Sequence, residues 1–295
     1  MKAIAYLFTL SALLLFLNGC SSNAQKSAGT RAMEQVPITT EPTNKIYPGK
    51  VVWHDLLTSD IHKAAEFYQK LFGWQAEFHG PYAVMSFNGK PVAGILEVQS
   101  TKGKLTDGIW IPSFSVTEVD QAARQAEVNG ARILTKPTTM KQRGRAALIR
   151  DPNNADLVLL RAKDGDPEDH KAAIGEWLWD EIWTSKPQQT RDFYQKVLQY
   201  DAMINSEQYD VLLSQDKWRA GVRHLEDENQ PMIWVPVIRV DDPQALADQV
   251  EEAGGIVWMD PSEKPGNPNT ALISDTTGAL LLIQRWPVES EGGEQ

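Results

Sequence analysis

One stretch of this chain occurs twice, and that repeat limits the possible folds more than any other feature. Val51 to Trp74 reads VVWHDLLTSDIHKAAEFYQKLFGW, and Trp177 to Tyr200 reads WLWDEIWTSKPQQTRDFYQKVLQY. Trp53 stands against Trp179, Asp55 against Glu181, Thr58 against Thr184, and Phe67-Tyr68-Gln69-Lys70 against Phe193-Tyr194-Gln195-Lys196, all at one offset of 126 residues. Each copy reads as a strand that passes through Thr-Ser into an amphipathic helix. Short repeat periods build solenoids, whereas a period this long duplicates a whole domain.

Later markers follow at offsets of 127 and then 124 residues. Tyr209 answers Tyr82, Ala220-Gly221-Val222 answers Ala93-Gly94-Ile95, and Asp275 answers Asp151. In the first copy Trp53, Asp55 and Leu57 share one strand face, and Val52, His54 and Leu56 share the other. Ser59 or Asp60 is placed to cap the helix, and Gly73 fits its end. Asn88-Gly89 joins strands at Tyr82–Phe87 and Val92–Val98 as a hairpin, with another strand expected between Trp74 and His79. The plan then restarts with a strand at Trp110–Val116, a helix at Val119–Asn129 and three more strands up to Arg161. The expected fold class is therefore α+β: two tandem domains, at 48–162 and 176–287, each a pair of β-α-β-β-β modules. Residues 163–175 form an acidic linker and 288–295 an acidic tail.

The N-terminus has its own logic. Met1-Lys2 opens an apolar run, Ala3 to Leu17, that is short for a bilayer span. Leu17-Asn18-Gly19-Cys20 resembles the lipobox of bacterial lipoprotein signal peptides. That resemblance implies removal of residues 1–19, lipidation of Cys20 and, with Ser21 next, an outer-membrane anchor facing the periplasm. Residues 20–47 then read as a flexible tether. The single cysteine excludes an intramolecular disulfide. A net charge of −10 without any basic run argues against a nucleic-acid partner.

Paired β-α-β-β-β modules carrying Trp53-His54-Asp55-Leu56-Leu57-Thr58-Ser59-Asp60, then Phe67-Tyr68 and Leu71-Phe72-Gly73-Trp74, resemble the vicinal-oxygen-chelate superfamily. That superfamily holds glyoxalase I, bleomycin-resistance proteins, extradiol dioxygenases and fosfomycin-resistance enzymes. The resemblance implies an incompletely closed eight-stranded barrel in each domain. In the family's enzymes a divalent metal sits on the concave face, held by His, Gln and Glu. The corresponding positions here are Trp53 and Trp179, Ile111 and Val235, and Val158 and Leu282. Indole and aliphatic side chains do not coordinate such metals. No metal cofactor is therefore expected, and Glu97 and His224 are the ligand candidates left.

Asp55 and Glu181 are the candidate catalytic groups. A carboxylate beside an indole is partly desolvated, which suits acid–base work or hydrogen bonding to a ligand. The structural alternative is pairing with the backbone or with an arginine such as Arg143 or Arg145. Trp53, Trp110, Trp179 and Trp234 fall on strands expected to form the barrel faces. With Asp55, Glu181, Tyr82 and Tyr209 they make the candidate ligand-binding set. Trp74, Trp183 and Trp258 are expected in the core, Trp177-Leu178-Trp179 at an interdomain contact, and His54 against the helix. The function these residues imply is metal-free binding of a small aromatic or cationic molecule by a membrane-anchored protein. The alternatives are a glyoxalase-type lyase, isomerase or dioxygenase with a non-standard metal site, and a non-catalytic envelope scaffold. Oligomeric state stays open.

Overall fold

The computed structural model describes residues 36–100, 103–104, 108–227, 230, 232–263 and 268–286. The signal peptide, Cys20 and the acidic tail expected from sequence lie outside the described residues.

Domain one runs β1 (Val51–Thr58), α1 (Ile61–Phe72), β2 (Gln75–His79), β3 (Tyr82–Phe87), β4 (Lys90–Glu97), a small hairpin of β5 (Gln99–Ser100) and β6 (Gly103–Lys104), β7 (Ile109–Ser115), α2 (Val119–Val128), β8 (Arg132–Met140), β9 (Gly144–Arg150) and β10 (Asp156–Ala162). Domain two runs β11 (Trp177–Thr184), α3 (Pro187–Leu198), β12 (Ala202–Asn205), β13 (Tyr209–Ser214), β14 (Lys217–His224), β15 (Ile233–Arg239), α4 (Pro243–Val250), β16 (Ile256–Met259), β17 (Thr270–Ser274) and β18 (Leu280–Gln284). The sheet orders are β2-β3-β4-β1-β7-β10-β9-β8 and β12-β13-β14-β11-β15-β18-β17-β16. In domain one β1 pairs with β4 in parallel and with β7 antiparallel, so the two modules join through the β1–β7 ladder. Strands β2 and β8 end the sheet, which stays unclosed.

Local chemistry accounts for the boundaries. Asp60 sits at the N-cap of α1 in an extended conformation, and its side chain accepts the Lys63 N–H at 3.1 Å. Gly73 ends that helix with a left-handed φ of 71°. Asn88 and Gly89 both have positive φ, 50° and 74°, as a two-residue type I′ hairpin turn requires.

The helices lie between the domains. Phe67, Tyr68 and Phe72 of α1 share one apolar cluster with Ile238, Val250, Ile273, Leu281 and Ile283 from the second half of domain two. Reciprocally, Val119, Ala122 and Ala126 of α2 cluster with Phe193, Tyr194, Val197 and Leu198 from the first half of domain two. The first module of each domain thus packs on the second module of the other, as in a two-fold dimer. The polar bonds obey the same symmetry. Tyr68 donates to Asp275 Oδ2 at 3.1 Å, and Tyr194 donates to Asp151 Oδ2 at 2.9 Å. At the centre His54 Nε2 meets Asp180 Oδ1 at 2.8 Å, joining equivalent positions of the repeat. His54 thus faces the helix side, as expected, but its partner is the other domain.

Residues 36–47, read from sequence as the end of a flexible tether, are instead docked on domain one. The Thr43 hydroxyl donates to Asp166 O and the Tyr47 amide to Asp166 Oδ2, each at 2.7 Å. Ile38 is buried in the face of the sheet turned away from the helices. The acid side chain that holds this segment, Asp166, belongs to the interdomain linker and is itself buried.

Candidate functional site

Each sheet presents one face to the helices and the other to an outward cup. Register decides which side chains line the cup. In β1, Trp53 pairs with Ser113 and Asp55 with Ile111 on the cup side, whereas Leu56, paired with Trp110, faces the helices. Strand β11 repeats this arrangement with Trp179 and Glu181 in the cup and Ile182 paired with Trp234 behind it.

In domain one the cup holds Trp53, Asp55, Tyr82 and Arg143. Trp53 Nε1 donates to Asp55 Oδ1 at 3.0 Å, and the Tyr82 hydroxyl donates to the same oxygen at 3.3 Å. Arg143, on the turn between β8 and β9, donates to the Tyr82 hydroxyl at 3.2 Å and comes within 3.9 Å of Asp55 Oδ2. Its guanidinium lies over the Trp53 ring, 4.4 Å from the centroid. Burial, and then the charge of Asp55, hold the Tyr82 hydroxyl well above the usual phenol range.

Domain two keeps three of these positions but draws its guanidinium from elsewhere. Arg223, on β14, binds Glu181 through two bonds of 2.7 and 2.9 Å. Trp183 Nε1 donates to Glu181 Oε2 at 3.1 Å, and Trp179 Nε1 to the Tyr209 hydroxyl at 2.5 Å. The guanidinium stands 5.7 Å from the Trp183 ring centroid and 5.3 Å from that of Tyr209. Trp218 lies 6.4 Å from Trp179 and is 54% exposed. Burial, and then the Glu181 charge, raise the Tyr209 hydroxyl strongly.

Two glycines make room for these groups. A Cβ on Gly94 would lie 2.2 Å from both Asp55 Oδ1 and the Tyr82 hydroxyl, and one on Gly221 would lie 1.9 Å from the Tyr209 hydroxyl. The sequence carries the signal, since this glycine recurs inside an Ala-Gly repeat, but strand alternation alone gives it no role.

Several sequence expectations are corrected. Trp110 and Trp234 do not line the cups. They donate across the helix face to the Tyr68 and Tyr194 hydroxyls, at 3.0 and 3.1 Å, and are buried in the two interdomain clusters. Trp183 is a half-buried cup residue rather than a core one, and Trp258 is 60% exposed; Trp74 is fully buried. Of Trp177-Leu178-Trp179, Trp177 bridges the domains by donating to Val92 O at 2.9 Å, whereas Leu178 and Trp179 pack in the cup cluster of domain two. Asp55 and Glu181 do share a face with Trp53 and Trp179, but both carboxylates are already engaged by indole and guanidinium donors. Of the two arginines named from sequence, Arg143 reaches Asp55, whereas Arg145 pairs with Asp120 at 2.7 Å.

The two metal-ligand candidates lie on the helix side. Glu97 accepts the Ile61 N–H at 3.2 Å, and His224 Nε2 meets Asp210 Oδ2 at 2.7 Å. Among the described residues no group of three or more His, Cys, Asp or Glu could hold a metal ion. The cups present indoles, aliphatic groups and one guanidinium-paired carboxylate each, a donor set that does not fit the divalent metal of the family's enzymes.

Comparison with known proteins agrees with this architecture. Residues 50–159 match the family described as Glyoxalase/Bleomycin resistance protein/Dioxygenase superfamily. CFP32 of Mycobacterium tuberculosis, named as a glyoxylase, is 28% identical over 241 residues, covering 78% of this chain and 92% of that protein. The anthracycline biosynthesis protein DnrV of Streptomyces peucetius is 27% identical over 258 residues, covering 80% and 94%. Among solved structures, the Mn(II)-bound glyoxalase from Novosphingobium aromaticivorans superposes with a TM-score of 0.59 at 11% identity, over 81% of this chain and 83% of that one. Homoprotocatechuate 2,3-dioxygenase from Brevibacterium fuscum gives 0.56 at 11%, over 85% and 74%. At such identity these structures establish the fold. The chain thus carries a domain of the glyoxalase/bleomycin resistance protein/dioxygenase superfamily at residues 50–159, and its second eight-stranded sheet repeats that architecture in tandem.

Proposed function

We propose that this protein binds a flat aromatic small molecule, without a metal, in the cup of domain two, and is held at the cell envelope by a lipid on Cys20. The observation that carries the ligand assignment is the ring of half-exposed aromatics, Trp179, Trp183, Tyr209 and Trp218, around the Glu181–Arg223 pair. Concave aromatic surfaces with a few fixed polar groups are where small ligands sit, and indoles favour flat rings. The cationic ligand considered from sequence fits less well, because Arg223 already neutralises Glu181. A neutral or acidic aromatic suits the guanidinium edge better. Likeness to DnrV, named for the biosynthesis of flat fused-ring aromatics, supports the same ligand chemistry. Among the described residues no helix is long and apolar enough to cross a membrane.

Likeness to CFP32 favours a glyoxalase-type lyase as the second reading. That reaction needs a group free to move a proton, and both cup carboxylates are paired. The test is a titration with the acidic aromatic probe 8-anilinonaphthalene-1-sulfonate, with and without a chelator. Chelator-insensitive binding that Trp179→Ala weakens about tenfold, a little over 1 kcal/mol, is the expected result. Binding that ignores Trp179→Ala, or that requires a metal, would overturn the proposal.

A further inference from the structure

The two cups carry the same Trp, carboxylate, Tyr and Arg groups, yet among the described residues only that of domain one is filled by a segment from outside its sheet. In domain one Ile38 joins the apolar cluster of Trp53, Leu57, Tyr82 and Ile111, with Val36 packed against it. Arg143 Nε donates to the Val36 carbonyl at 3.2 Å, so the residue that covers Trp53 also holds the arm. Ile38 is only 6% exposed and Trp53 2%. In domain two the matching cluster, among the described residues, contains only strand residues of domain two itself, and Trp179 and Trp183 are half-buried. The internal repeat thus supplies its own comparison between a covered cup and an open one.

We propose that the cup of domain one is a second, latent site for the same class of ligand, latched shut by residues 36–39 of the N-terminal arm. The ligand class rests on the function proposed above; the latch rests on the arm. Residues 36–42 are in no helix or strand, and Pro37 has no amide proton to donate. The arm is rooted further on, where the Thr43 and Asn44 amides donate to Asp164 O at 2.9 and 3.0 Å. Residues 36–42 can leave without breaking a strand of the sheet. A molecule filling the cup competes with Ile38 and Val36 for the same apolar walls, so ligand and arm exclude one another. The Thr39 hydroxyl is buried without a hydrogen-bond partner while the arm is seated, which further favours its release.

The full chain is titrated with 8-anilinonaphthalene-1-sulfonate beside its Ile38→Asp variant. Wild type is expected to bind one equivalent and Ile38→Asp two. A synthetic peptide of residues 35–42, added in excess, is expected to displace the added equivalent and leave the first in place. If Ile38→Asp loses its cooperative unfolding transition, Ile38→Ala takes its place, with the same added equivalent expected. A released-arm variant that still binds one equivalent, or whose second equivalent ignores the peptide, overturns the latch. Failure of the domain-two function reads differently: wild type then lacks a site sensitive to Trp179→Ala, and the latch still stands or falls on the equivalent gained.

Discussion

Asp151 shows how the interdomain contact uses buried charge. Its Oδ1 accepts the Asn153 and Ala155 amides at 2.8 Å each, and its Oδ2 accepts the Tyr194 hydroxyl from the other domain. Burial pushes its pKa up to about 6, and burial likewise raises Asp275 and Asp180. Because the folded value lies above the unfolded one, the native state binds more protons between about pH 4 and 6. The contribution is present below that window and is lost as pH rises through it. Two units correspond to about 3 kcal/mol. Asp151→Asn keeps an oxygen for the two amides and cannot ionise. The wild-type-minus-variant difference in urea unfolding free energy is therefore expected to fall by up to about 3 kcal/mol between pH 4 and 6.5; a flat difference would mean that the carboxylate ionises unhindered. At this scale the carboxylates of the cups are legible in the sequence, because alternation on β1 and β11 ties them to the tryptophans. Of their arginines, Arg143 is one of two partners the sequence offers, whereas Arg223 is not legible. Arg223 occupies the position that Leu96 holds in domain one, each opposite the cup tyrosine, whereas Arg143 comes from a turn. A comparison between repeats looks for one partner at one offset, and the two halves use different ones.

The helices show what duplication preserved and what drifted. Helix α1 has a bonded Asp60 cap and a glycine terminus, whereas α3 begins after Lys186 with no side-chain cap and ends at Gln199 in a left-handed conformation, φ 61°. A capping carboxylate contributes about 1 kcal/mol, and relieving a side chain of left-handed geometry about as much. The two sites stand at opposite ends of the helix, so their effects add. Lys186→Asp with Gln199→Gly is expected to stabilise the protein by about 2 kcal/mol in urea unfolding, and an unchanged midpoint would show that this helix end is not held in the native state. The order of strands and helices is legible because each helix carries a clear apolar stripe and each hairpin its turn residues. The facing of β7 and β15 is not. Every residue of β7 after Ile109 is buried, with the cup on one side and the helices on the other. Strands covered on both faces lose the period-two signal. For this reason Trp110 and Trp234 can be assigned to a strand from sequence but not to a side.

At the scale of the molecule, the core on the helix side of each sheet is completed by the other domain. The cluster around Phe67, Tyr68 and Trp74 takes Ile238, Val250, Ile273 and Ile283 from domain two, and no composition shift marks these residues as interfacial. Apart from Trp177, the interface is legible only through its symmetry, and that symmetry appears once structure pairs Tyr68 with Asp275 and Tyr194 with Asp151. Domain one contains both halves of this contact, a Tyr68 and an Asp151. Residues 36–162 expressed alone therefore expose a large apolar face that is self-complementary under a two-fold axis. The fragment is expected to sediment as a homodimer. That dimer lacks one feature of the intact protein: His54 meets its own copy where it would have met Asp180, which removes a buried charge-assisted pair. Mixing with residues 163–286 is therefore expected to replace the homodimer by a one-to-one complex, seen as a shift in sedimenting species at micromolar concentration. A fragment that stays monomeric and unfolds cooperatively would mean that each domain is self-sufficient and the shared core dispensable.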